Sequence, residues 1–177
     1  MILDLLVDAE IAGCDWSKVR EADGPAIAIP HAFLELLRSD GPESAVKAYW
    51  KLENHVIVQG ALFEVSVHTV SLIGAALVNT TRPKWVRIQL LELLFQIVNG
   101  ESHTDEVARG VPDLGLRCRT EALKILWVLY GIFQEGDLWR AAREIIEIID
   151  DNISLLSTLD RLNSDAGRVD IAESPKI

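Results

Sequence analysis

Hydrophobic positions along the chain recur in one arrangement, four large aliphatics enclosing a single acid. Leu90-Leu91-Glu92-Leu93-Leu94 and Ile145-Ile146-Glu147-Ile148-Ile149 show it fully, and Phe33–Leu37 and Ile2–Leu6 more loosely. A helix turns about 100° per residue, so the aliphatics gather on one side and the acid points away. The same periodicity predicts helices over Ile2–Ile11, Pro30–Ser39, Glu43–Val56, Ala61–Asn79, Lys84–Val98, Leu116–Phe133, Leu138–Asp151 and Ile153–Leu162. Gly24-Pro25, Gly41-Pro42, Arg82-Pro83, Asn99-Gly100 and Glu135-Gly136-Asp137 punctuate them. No run alternates cleanly around a hairpin dipeptide, so no sheet is expected.

Read in order, helices 30–39 with 43–56, 61–79 with 84–98, and 116–133 with 138–151 make three pairs. The second helices of the last two pairs align with Leu90 on Ile145, an offset of 55 residues. HEAT and armadillo units run to about 40–47 residues, and the intervening Glu101–Gly115 segment accounts for the excess. The expected fold is therefore all-α: a HEAT/armadillo-like right-handed α-solenoid of about three antiparallel helix pairs with helical caps. A closed helical bundle is the alternative. One repeat domain over 1–162 and a polar tail over 163–177 complete the organisation.

Composition narrows the partner. The chain is 177 residues, 49% hydrophobic and 25% charged, enough for one folded domain with a sizeable core. A net charge of −10 disfavours nucleic acid, which needs a basic footprint, and suits a protein with a basic surface. Two distant cysteines, Cys14 and Cys118, fit thiols in a reducing compartment, although their spacing does not forbid a disulfide. MILDLLVDAE places acids where a secretion signal needs positive charge, and Val65–Val78 is interrupted by Ser66, His68, Thr69 and Ser71. A cytoplasmic protein with no membrane association is expected.

Part of the chain looks familiar. The order Gly24-Pro25, Ile29-Pro30, Leu34, Leu36-Leu37, then Gln59-Gly60-Ala61-Leu62-Phe63-Glu64, then Arg87, Leu90-Leu91, Leu94 and Gly100-Glu101-Ser102 resembles a group of bacterial HEAT-like proteins. Their pattern is an HQGTxYEAT segment followed by a proline-containing helix. Gln59, Gly60 and Glu64 match it, whereas Val58, Ala61, Phe63 and Ser71 stand where the pattern has histidine, threonine, tyrosine and proline. The resemblance covers less than half of the chain. Acidic α-solenoids of this size also look like immunity proteins of bacterial toxin systems, which implies a toxin domain as partner.

Catalytic chemistry has no clear seat. His31, His55, His68 and His103 lack metal-ligand helix spacing, and Glu64 with His68 makes only two side chains of a site. There is no nucleophile elbow, no phosphate-binding glycine loop and no cofactor motif, so an enzyme is not expected. Of the five tryptophans, Trp85 and Trp139 open two related helices, where they either staple a helix start or anchor a partner. Trp127, inside an apolar run, reads as core. Glu35 and Asp4 read as simple solvation of an outer face.

Glu92 and Glu147 occupy equivalent outer positions, and Glu144, Glu147 and Asp151 share a face at i, i+3 and i+7. Such positions align into a ridge across a solenoid. The segment Glu101–Gly115, with Glu101, Asp105, Glu106 and Asp113 against Arg109, reads either as a recognition loop or as a disordered insertion. The expected function is a non-enzymatic protein-binding module, plausible as a toxin-neutralising immunity protein. Its candidate contacts are Glu64, Trp85, Glu92, Glu101, Asp105, Glu106, Trp139, Glu144, Glu147 and Asp151. A scaffold or regulatory adaptor is the first alternative, and an enzyme like the HEAT-like DNA glycosylases the second, disfavoured by the charge.

Overall fold

A computed structural model describes residues 4–165. Its helices are α1 Leu5–Gly13, α2 Ile29–Leu37, α3 Pro42–Val56, α4 Val65–Leu77, α5 Lys84–Asn99, α6 Thr104–Ala108, α7 Leu114–Leu123, α8 Leu126–Phe133, α9 Trp139–Ile149 and α10 Ile153–Asp165. The mostly helical character expected from the periodicity is present. The starts of the predicted Ile2–Ile11 helix and most of the 163–177 tail lie outside the described residues.

The apolar faces do what their spacing dictates. Leu90, Leu91, Leu93 and Leu94 of α5 are all buried, as are Ile145, Ile146 and Ile149 of α9, while Glu92 and Glu147 face solvent. Each buried aliphatic contributes about 1.5–3 kcal/mol relative to exposure, so these two helices anchor the core. The expected partners touch: α2 with α3, α4 with α5, and α8 with α9. In addition α5 packs against both α3 and α9, and α4 against both α1 and α7, so two rows of helices lie against one another.

Four expectations need correction. First, short strands are present. β1 (Arg20–Glu21) pairs with β2 (Gly24–Pro25), and β3 (Ile57–Val58) pairs antiparallel with β4 (Ala61–Leu62). The β3–β4 turn is Gln59-Gly60, both with positive φ (52° and 83°), the conformation that a two-residue primed turn requires. The hairpin signal was therefore Gln-Gly, an unusual choice for the first position, and α4 begins at Val65 because Ala61–Leu62 is extended.

Second, Glu101–Gly115 is ordered. β5 (Glu101–Ser102) adds in parallel to β4, α6 follows, and α7 has already begun at Leu114. Third, the predicted Leu116–Phe133 helix is two helices. It breaks at Lys124-Ile125, where the Ile125 side chain lies against Gly74 so closely that a Cβ there would meet Ile125 Cγ2 at 2.6 Å. The break lets Cys118 and Ala122 face inward from α7 and resets the register so that Leu129, Ile132 and Phe133 are buried in α8. Fourth, the Ile2–Leu6 recurrence does not bury a full apolar face, since Leu5 and Leu6 are exposed.

Candidate protein-binding surface

The acids separate into two environments. Around β1 and α6, Arg20 reaches across to Glu106, its Nε donating to Oε1 at 3.1 Å and its Nη2 to Oε2 at 2.7 Å. Arg20 Nη1 also lies 3.2 Å from Glu64 Oε2, and the Arg20 backbone N–H donates to the same oxygen. Glu106 is 1% exposed, with Arg109, at the C-terminal cap of α6, 3.8 Å away. The Arg20 hydrogen bonds hold its carboxyl below the usual range against the opposing effect of burial. Glu64 and Glu106 therefore close a tertiary junction, and Glu106 offers no surface to a partner.

Glu101 and Asp105 are exposed, but Glu101 accepts from the Arg119 guanidinium at 3.2 Å, and Asp105 sits in the first turn of α6 beside His103. The segment is further pinned by the Glu101 N–H bonding the Gly60 carbonyl and by Ser102 Oγ accepting from the Leu114 N–H. Asp4 and Glu35 are likewise paired, Asp4 with Arg82 and Glu35 with Lys51 Nζ at 2.6 and 2.8 Å, so neither merely solvates its helix.

On the outer side of α5 and α9 the acids stand differently. Glu92 accepts one bond from Gln96 and makes no ion pair among the described residues. Glu144 is exposed, and Glu147 is held by Arg143 at 2.9 Å, a cation it shares with Asp160. Asp151 leaves this face. α9 ends at Ile149 and Asp150 is extended (φ −106°, ψ 111°), so the i, i+3, i+7 relation to Glu144 and Glu147 fails at its last member.

One acid was missed. Tyr49, buried between α3 and α5, has its phenol pushed up to about 12, first by burial and then by Glu92 and Glu53. Both carboxylates thus lie near one ring, and Glu53 carries the acid line from α5 onto α3. Its own carboxyl is pushed up by burial. The sequence signal was faint, because Leu52-Glu53 lacks the flanking pairs of aliphatics.

The tryptophans also redistribute. Trp85 is half-buried, and its Nε1–H donates to the Ser39 carbonyl at 3.1 Å; Trp139 packs edge-on to Phe133 at 6.2 Å. Both staple helix starts. Trp127, expected in the core, is 76% exposed, and Trp50 of α3 is 51% exposed. Both cysteines are free thiols, and burial pushes the Cys118 thiol up to about 12. No three His, Cys, Asp or Glu side chains gather at metal-binding distance among the described residues, where Glu64 is taken by Arg20 and His68 lies edge-on to Trp16. No helix among those residues is long and apolar enough to cross a membrane. The sequence matches no protein-family model, no curated protein and no solved structure at a significant level.

Proposed function

We propose that this chain is a non-enzymatic protein-binding module, an α-solenoid-like stack whose outer α3–α5–α9 side binds a basic protein surface. One observation carries the reading: Glu53, Glu92, Glu144 and Glu147 fall on three helices packed in sequence, and Arg143 is the one cation that an ion pair commits to any of them among the described residues. Like charges held together weaken a fold slightly and draw in a cationic partner from a distance. The α3–α5–α9 and α1–α4–α7 rows support the solenoid-like description, with α2 and α8 packed outside them against α3 and α9. Neutralising a toxin domain fits this chemistry, because an acidic face laid over a basic substrate groove blocks it without any reaction.

The test is a titration against the product of the gene immediately upstream, at low and high salt. Binding that weakens with salt, and weakens again in the Glu92→Lys, Glu147→Lys variant, supports the reading. A toxin domain in that position supports neutralisation, whereas a metabolic enzyme there transfers the same physics to a scaffold or regulatory adaptor.

A further inference from the structure

The α1–α4–α7 side of the molecule carries a run of exposed apolar groups. α1 runs along α4 with Leu5 and Leu6 beside Ala75 and Val78, and Trp16 beside His68. α7 runs along α4 in the other sense, with Glu121 Oε1 accepting from Ser71 Oγ at 2.8 Å and Ile125 against Gly74. Leu5, Leu6 and the α7–α8 junction therefore reach the same end of α4. There Leu5 (68% exposed), Leu6 (53%), Val78 (49%), Leu123 (43%) and Trp127 (76%) all face water. Leu116 continues the stripe one α7 face length away, and Asp4, Leu5, Leu6, Ala75, Val78, Asn79 and Thr81 line an open hollow of about 410 Å³.

Charge divides this surface in two. α1 adds exposed Asp8 and Glu10, while α7 and the junction add exposed Arg117 and Lys124, the latter shared with Glu121 at 2.5 Å. An acidic apolar element and a basic apolar element thus flank one helix, so each half complements the other.

We propose that this face is the interface of a homodimer, in which Trp127 of one copy enters the Leu5–Leu6–Val78 hollow of the other. A two-fold axis makes each contact occur twice, pairing Arg117 and Lys124 of each copy with Asp8 and Glu10 of its mate. A stable pair buries roughly 800 Å² per copy, and an exposed tryptophan contributes on the order of 150 Å² of that, with the four aliphatics around it supplying the rest of an apolar centre. An anionic membrane is the poorer occupant: two cations are few, and the chain's net charge of −10 repels it.

Sedimentation equilibrium of the purified chain, from about 1 to about 100 µM, spans the affinities of such interfaces. The expected species is a dimer of twice 19.6 kDa. Trp127→Ser and Leu6→Glu, at exposed positions that leave the core intact, each weaken dimerisation about 30-fold or more, as loss of a central anchor does. Lys124→Glu weakens it several-fold, and adding Asp8→Lys restores it. A monomer at the highest concentration, or a dimer indifferent to Trp127→Ser and Leu6→Glu, overturns the proposal. Neither result bears on the acidic α3–α5–α9 side, whose test reads a different protein.

Discussion

Glu106 and Glu92 are the same residue type in one acidic chain, and they do opposite work. Glu106 is enclosed, bonded twice by Arg20, and ties α6 to β1 across 86 residues of sequence. Glu92 stands on the outside of α5 with Gln96 as its hydrogen-bond donor. The contrast shows that acid count says little about recognition: what matters is whether a cation within the fold has already claimed the carboxylate. Two candidate contacts, Glu64 and Glu106, are claimed in this way, and Glu101 and Glu147 are partly so, by Arg119 and Arg143.

The contrast breaks most visibly by removing a claimant. Arg20→Ala leaves a buried carboxylate with only the longer Arg109 contact described for it and is expected to cost about 3 kcal/mol, read by urea denaturation at neutral pH. Acid titration sharpens the same point. The folded Glu106 carboxyl lies below its ordinary value of 4.5, so its pair contributes stability above that pH and loses it as pH falls through the folded value. In Arg20→Ala this part of the acid destabilisation should disappear.

Glu21 is an intermediate case, enclosed like Glu106 but without a strong claimant. Its Oε2 is buried with no hydrogen-bond partner, and His55 Nδ1 lies 3.4 Å from Oε1. Burial pushes its carboxyl up, outweighing the His55 contribution. A raised folded value means stability present at low pH and lost as pH rises through that value. Glu21→Gln should therefore stabilise at neutral pH, by about 1 kcal/mol or roughly 3 °C in thermal midpoint, and the gain should vanish below pH 4.5. The smallest effect belongs to Glu92→Lys with Glu147→Lys, about 0.5 kcal/mol per site, because both are exposed opposite the core.

The buried faces of α5 and α9 were legible in the sequence because helical period alone fixes them. The strands were not, since two-residue pairings leave no alternation to read and Gln59 adopts positive φ without being glycine or asparagine. The Lys124-Ile125 break was equally hidden: it depends on Ile125 fitting against Gly74, a contact spanning 51 residues. Pairing of acids with Arg20, Arg82 and Lys51 is long-range too, so periodicity assigned solvation or recognition to carboxylates that hold the fold together. Exposure of Glu92, Glu144 and Glu147 followed from position, whereas the place of Glu92 beside Tyr49, which joins Glu53 to the same line of acids, needed the packing of α3 on α5.

Whether the outer acids serve a partner is best decided by association kinetics against the upstream gene product. Wild type is compared with a Glu92→Lys, Glu144→Lys, Glu147→Lys chain that remains fully folded at the assay temperature. Recognition by these acids requires association slowed by about tenfold or more at low salt, a flattened salt dependence and a nearly unchanged dissociation rate. Equal association rates for two equally folded chains would contradict it and leave those acids to solubility alone.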